Sequence, residues 1–248
     1  MREARITIPL PLDYSGNESV NTVATNLFFA GRNMKKIIFT SCTASEGKSF
    51  LAMHTMLNLA RRNRRVVLVD CDYRRSFLVR RFGIQFVGEQ LGSAHYLNGQ
   101  CGLEDIVYQL DTPGAYYCPI GMVVANPIPL IDSEYFADLL DTLAREFDVV
   151  LVDAPPIGVV VDAAVVGRSC DGCVFIVEYG KRHRRELVDA IAQMSQSGCA
   201  LLGCVLNRVT LKSLSDKQYY RSKYYSYYHS YGDEQDGKDH RKSKAKKS

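Results

Sequence analysis

The chain has 248 residues, 46% hydrophobic and 23% charged, which suits one α/β domain with a substantial core. It has no Trp but 15 Tyr, seven of them between Tyr219 and Tyr231, a density that folding alone does not require. Of its 31 Lys/Arg and 27 Asp/Glu, nine and five lie in residues 216–248. That leaves 22 of each sign before the tail, so the whole net charge of +4 belongs to it. A body of balanced charge argues against a nucleic-acid-binding face spread over the fold, and no nucleic-acid partner is expected.

Eight cysteines, at 42, 71, 101, 118, 170, 173, 199 and 204, are scattered through apolar stretches and read as buried free thiols. Cys170 and Cys173 form a CxxC, but no second pair or nearby His completes a zinc site. The N-terminus lacks an apolar signal region, and no run of 18 apolar residues occurs, so the expected location is cytoplasmic unless a partner holds the protein elsewhere.

In chain order, residues 1–17 read as an extended lead-in. The spacing of Val20, Val23, Ala24, Leu27 and Phe28 predicts a helix from about Ser19 to Ala30. A short apolar run, Ile37 to Phe39, enters the polar loop Thr40 to Gly47, and a helical pattern follows from Lys48 to Arg62. Val66 to Val69 ends at Asp70, and Val149 to Val152 ends at Asp153. Each is an uninterrupted apolar strand with a carboxylate at its carboxyl end. Further strands are predicted at 174–177 and 201–206, with helices at 133–146 and 184–197. Strands apolar on both faces, alternating with helices, define an open, doubly wound and mostly parallel α/β sheet. Residues 18–213 form this domain, and residues 214–248, where hydrophobic periodicity stops, read as a flexible tail.

Ligands bind at the carboxyl ends of strands in such sheets. The sequence there begins with Ser41-Cys42-Thr43-Ala44-Ser45-Glu46-Gly47-Lys48-Ser49, between a strand and a helix. This is the context of a P-loop NTPase: backbone N–H groups cradle phosphates, Lys48 reaches the β and γ oxygens, and the Ser49 hydroxyl can ligate Mg²⁺. Ser45, Glu46, Gly47, Lys48, Ser49 and Phe50 are therefore candidate ATP-binding residues. The loop departs from GxxxxGK[ST] at its first position, where Cys42 stands. In VVLVDCDYRR, Asp70 and Asp72 lie two residues apart and share one side of an extended chain. One can help hold metal while the other takes a proton from an attacking hydroxyl; Asp72 as a turn or helix cap is the plainer alternative. Asp153, in DVVLVDAPPIGVVVD, stands where a third, metal-holding acid is needed. Asn207, at the end of the last strand, suits an adenine edge and suits ending a strand equally well; Arg208 follows it.

These residues resemble a known family, the cytosolic bacterial tyrosine kinases (BY-kinases) of capsule and exopolysaccharide loci. The resemblance rests on TSCTASEGKS at 40–49, VVLVDCDYRR at 66–75, FDVVLVDAPPIGVVVDAAVV at 147–166, EYGKRHRREL at 178–187, LGCVLNRV at 202–209 and the terminal tyrosines. It implies Walker A, A′ and B motifs, with Lys48 and Ser49 on ATP-Mg²⁺, Asp70 and Asp72 handling metal and proton, and Asp153 holding metal. It implies Tyr219, Tyr220, Tyr224, Tyr225, Tyr227, Tyr228 and Tyr231 as phosphoacceptors, modified in trans within a homo-oligomer. It also implies a transmembrane activator of the polysaccharide co-polymerase type whose cytoplasmic segment recruits the kinase to the inner membrane face, and an opposing tyrosine phosphatase.

Two departures stand out. Family members usually carry Gly where this chain has Ser45, and usually carry Glu-x-x-Arg-x-x-Arg in the first helix, where here Glu18 is followed by Asn21 and Ala24. Two other readings share the motifs. A partitioning or division-site ATPase would have Lys where Thr43 stands, and a nucleotide-sensing, non-catalytic subunit of a polysaccharide exporter would tolerate Ser45.

Overall fold

The structure is a computed structural model that describes residues 2–31 and 33–209. The seven tail tyrosines, Tyr219 to Tyr231, lie outside the described residues. A first compact unit runs to Asn207, and Arg208 opens a second.

Strand β1 (Arg2–Ile6) is followed by α1 (Tyr14–Phe29), β2 (Lys36–Ser41), α2 (Lys48–Arg61), β3 (Val66–Asp70), α3 (Leu78–Phe82), β4 (Ile84–Phe86) and α4 (Ser93–Leu97). The chain continues through β5 (Tyr108–Gln109), β6 (Ala115–Cys118), α5 (Ile128–Ile131), α6 (Glu134–Glu146), β7 (Val149–Asp153), α7 (Asp162–Gly167), β8 (Gly172–Glu178), α8 (Arg184–Ser195) and β9 (Ala200–Asn207). The described strands form one sheet in the order β4-β1-β5-β6-β3-β7-β2-β8-β9. Pairing is parallel throughout except at β1 with β4 and β5 with β6, so the expected mostly parallel sheet is present.

Alternate side chains of the central strands go to opposite faces, and both faces are covered. Ile38, Val67, Val69, Val150 and Val152 pack toward α6 and α8. Ile37, Phe39, Val66, Leu68 and Leu151 pack toward α1 and α2. Helix α6 shows how the sequence sets a helix: Ser133 caps it by accepting the Phe136 N–H at 3.2 Å, and Phe136, Leu139, Leu140 and Leu143 fall on one buried stripe. Each such side chain, fully buried, contributes about 1.5–3 kcal/mol.

The N-terminal segment differs from expectation. Arg2–Ile6 is no separate lead-in: it pairs antiparallel with β4 and parallel with β5, inside the sheet. Only Ala4 is fully buried there, between Arg2, Glu3 and Arg5, so the strand has almost no hydrophobic signature of its own. Helix α1 also starts earlier than Ser19, because the Asp13 carboxylate caps it by accepting the Gly16 N–H at 2.7 Å.

All eight cysteines are free thiols. Six are buried, but Cys101 is half-buried and Cys204 is exposed. Burial pushes the thiols of Cys71, Cys118, Cys170 and Cys173 well up, which keeps them protonated and unreactive. Among the described residues, no helix is long and apolar enough to cross a membrane.

Candidate active site at the carboxyl ends of the central strands

Sheet register assembles the site. In the parallel pair β3 and β7, Asp70 lies directly beside Asp153, while β2, on the other side of β7, runs into the loop before α2. The loop is anchored at its start: the Thr40 hydroxyl donates to the Pro155 carbonyl at 2.8 Å, and the Ser41 hydroxyl to the Thr43 carbonyl at 2.7 Å. Gly47 turns the chain into α2 with φ 100°, and a Cβ there would come within 2.1 Å of the Asn207 amide nitrogen, so both conformation and space require glycine.

Lys48 is buried, and its Nζ stands 3.4 Å from Asp72 Oδ2, 3.4 Å from Asp153 Oδ1 and 3.2 Å from Ser49 Oγ. Burial works to lower its pKa, but Asp153, Asp72 and Asp70 more than offset this, so the ammonium is held charged above its ordinary value. Asp70 is fully buried. Its Oδ2 accepts from the Ser76 hydroxyl and, at 3.1 Å, from the Tyr117 hydroxyl, and its Oδ1 accepts the Asp72 N–H at 3.1 Å. Burial, and then the neighbouring Asp153, push Asp70 up to about 7 against the pull of those donors. Burial also raises Asp153, opposed by Lys48 and by hydrogen bonding from Ser49. Asp72 is turned the other way: Oδ1 accepts the Arg75 N–H at 3.1 Å and Oδ2 faces Lys48.

Lys48, Ser49, Asp70, Asp72 and Asp153 thus lie together at one end of the sheet. Asp72 accepts from Arg75 as a turn residue would, and still presents its second oxygen to Lys48. Glu46 is fully buried within the loop, whereas Ser45 is exposed with φ 67°. Phe50 lies in the first turn of α2, and its ring packs on His54, at 4.3 Å between centroids, and on Phe82. The helical turn carries the ring to the α3 side, which leaves the Phe50 backbone N–H as its group facing the loop. Asn207 donates to the Glu46 carbonyl at 2.8 Å, a loop-holding bond that neither of its sequence readings contained. Arg208 adopts φ 55° and belongs to the second unit.

Several supporting residues escaped the sequence reading. Tyr117 and Ser76 hold Asp70, and Arg74 clamps the buried Asp162 through two bonds, 2.7 and 3.1 Å, tying the chain after β3 to the start of α7. Both Arg74 and Asp162 lay inside motifs already singled out by the sequence; their pairing is a product of the fold.

Cys42 and Ser45 are two non-glycine residues in a glycine-rich type of loop, and they differ. Cys42 has no positive φ and fits without strain, but Ser45 occupies the left-handed region where glycine costs nothing. Ser45→Gly is expected to stabilise the protein by up to about 1 kcal/mol, read as a shift in the urea midpoint at constant slope.

The donors suit Mg²⁺. Ser49 Oγ and the carboxylates of Asp153 and Asp70 are hard oxygens, and among the described residues no group of three or more His, Cys, Asp or Glu is placed to cage a metal by itself. Mg²⁺ commonly takes one or two protein oxygens and completes its shell with substrate phosphates and water.

A doubly wound sheet, a lysine-bearing loop at a helix start and paired acids at adjacent strand ends define a P-loop nucleotide-binding protein. No protein-family profile matches the chain. Relatives do: the tyrosine-protein kinase CpsD of Streptococcus agalactiae serotype Ia is 35% identical over 193 residues, spanning 78% of this chain and 82% of that one. The kinase domain of the Escherichia coli tyrosine kinase ETK superposes with a TM-score of 0.74 at 28% identity, covering 80% of this chain and 78% of that one. The septum site-determining protein MinD of Pyrococcus horikoshii, solved with Mg-ADP, shares the fold at a TM-score of 0.60 and 22% identity, over 72% and 71% of the two chains. The chain belongs to the bacterial tyrosine-protein kinases, and its enzymatic class is protein-tyrosine kinase.

Proposed function

We propose that the protein is an ATP-dependent autokinase that phosphorylates the tyrosines of its own C-terminal tail in trans, and so regulates capsule or exopolysaccharide synthesis and export. The observation that carries this reading is the buried Lys48, set between Asp72 and Asp153 at the mouth of the loop. ATP phosphates sit on the N–H groups of the loop and the first turn of α2, where aligned backbone donors favour anions. Lys48 leaves its carboxylates for the β and γ oxygens. Asp72 Oδ2 is thereby freed to accept the proton of an incoming tyrosine hydroxyl, whose unperturbed pKa near 10 makes such help necessary at pH 7. The tyrosine oxygen bonds to the γ-phosphorus as the bond to the β-bridging oxygen breaks, and Lys48 offsets the charge passed to ADP. Ser49 and Asp153 would hold Mg²⁺, with Asp70 behind them, and the ion supplies further neutralisation of the phosphates when bound. Asp70, its oxygens already committed to three donors, is the fixed member of the acid pair.

The partners proposed are a transmembrane activator with a cytoplasmic segment, further copies of this chain and an opposing tyrosine phosphatase, with the kinase recruited to the inner membrane face. Each phosphate adds about −1.5 to −2 charges, so about three overturn the tail's surplus of +4 and switch its contacts. Purified protein mixed with its activator and ATP-Mg²⁺ tests the reading: phosphotyrosine on tail peptides supports it. ATP turnover without phosphotyrosine would favour a non-kinase ATPase. Ser45 at φ 67° favours one second reading, a nucleotide-sensing subunit with little turnover, and that reading predicts tight nucleotide binding without phosphotransfer.

The elevated Asp70 also makes a stability prediction for nucleotide-free protein. A carboxyl whose pKa rises from 3.8 unfolded to about 7 folded stabilises the fold fully below pH 4, and that contribution is lost as pH rises toward 7. Thermal melts of the wild type should therefore decline over this window by on the order of a few kcal/mol relative to Asp70→Asn. Parallel profiles for the two proteins would refute the assignment.

A further inference from the structure

The phosphate loop carries an anion of its own. Glu46 is fully buried; its Oε2 accepts the Cys42 N–H at 3.1 Å, and its Oε1 accepts the Thr43 hydroxyl at 3.0 Å and Arg182 Nε at 3.4 Å. A carboxylate inside a loop that must receive polyphosphate is unfavourable twice over, through its own desolvation and through repulsion of the ligand, unless a cation compensates it.

Arg182 supplies that charge from a distant part of the chain, 136 residues on, in the connection between β8 and α8. Its guanidinium also stands 3.8 Å from Glu186 in the first turn of α8, and it is about three-quarters buried. The loop and α8 are packed around this contact. Cys42 Sγ lies 3.7 Å from the Glu186 carbonyl, and Gly158 presses so closely that a Cβ would fall 2.3 Å from the Cys42 carbonyl oxygen. A cleft of about 370 Å³ beside Cys42, Thr43 and Gly158 leaves Arg182 open to solvent on one side.

We propose that Arg182 is a positioning residue that neutralises Glu46 and thereby sets the affinity of the loop for nucleotide phosphates; this rests on the kinase reading above. Glu46 in turn fixes the loop through the Cys42 N–H and the Thr43 hydroxyl. The charge it brings is tolerated because Arg182 is there. The two residues should be coupled: Arg182 matters because it faces the Glu46 carboxylate, and ceases to matter once an amide stands in that place.

The test is equilibrium titration of the full chain with ADP, without Mg²⁺ and with it, for the wild type, Arg182→Ala, Glu46→Gln and the double variant. Arg182→Ala should raise the ADP dissociation constant about tenfold or more, as loss of one partner of a buried charge pair does. Glu46→Gln keeps an acceptor for the Cys42 N–H, and the Thr43 hydroxyl can reverse to accept from the amide. In that background, removing Arg182 should cost less than twofold, and this comparison decides the matter even if Arg182→Ala alone folds poorly. Wild-type ADP affinity in Arg182→Ala overturns the proposal while leaving the kinase reading standing, and so does an equal loss in both backgrounds, which would mean direct contact between Arg182 and nucleotide. A wild-type protein that binds no ADP overturns both.

Discussion

Lys48→Met abolishes phosphotyrosine formation, with an expected loss on the order of 10³-fold in initial rate when purified protein, activator and ATP-Mg²⁺ are combined. Met preserves length and apolar stem, so the fold of α2 is retained and only the charge is removed. The side chain is buried at the first turn, where nothing else can slide in to replace an ammonium 3.4 Å from two carboxylates. A second consequence separates lost chemistry from lost folding. Without Lys48, Asp72 and Asp153 face each other uncompensated, so the nucleotide-free variant should melt lower than the wild type at pH 8. The deficit should shrink as pH falls, as Asp153, already raised by burial, takes a proton. Phosphotyrosine accumulating at a near wild-type rate in this variant would show that the site has been placed wrongly.

What the sequence discloses and what it hides follow from the range over which each signal acts. Strands β2, β3, β7 and β8 carry continuous apolar runs, and their buried, parallel nature can be read from composition alone, whereas the equally apolar β9 lies at the sheet edge with Leu201 and Leu206 exposed. Asp70 and Asp153 each close such a run, so their place at a strand end was legible; their adjacency was not, since it depends on β7 inserting between β3 and β2. Strands β1, β4, β5 and β6 are two to five residues long and carry little periodicity, and the pairing of β1 with β4 and β5 is non-local. Tyr117 reaches Asp70 across 47 residues of sequence and Arg182 reaches Glu46 across 136, distances at which no local pattern connects two residues. The tract Ala115-Tyr116-Tyr117-Cys118 did carry one usable signal: two tyrosines in a strand point to opposite faces, so one of them had to be buried and would need a partner for its hydroxyl.

Deleting residues 217–248 is expected to eliminate autophosphorylation while leaving ADP affinity within about twofold of the full chain. The deletion removes all seven tyrosines from Tyr219 to Tyr231, whereas the loop, the acid pair, Tyr117 and Asp153 all belong to the unit ending at Asn207. Among body tyrosines, Tyr73, Tyr108 and Tyr117 are fully buried and Tyr117 is bound to Asp70, while the exposed Tyr14, Tyr135 and Tyr179 are isolated single sites rather than a cluster. The same truncation resolves whether transfer occurs between copies. A tail-deleted chain retains the complete site but lacks the seven tail acceptors, and the Lys48→Met chain retains every acceptor but lacks the site's ammonium. Neither alone should accumulate phosphate. Mixed together with activator and ATP-Mg²⁺, they should yield phosphotyrosine confined to the Lys48→Met tail, identified by mass spectrometry of its tryptic peptides, at a rate that rises with total protein concentration. A mixture that stays unmodified, while the wild type alone is phosphorylated independently of its concentration, would establish transfer within one chain and overturn the trans mechanism.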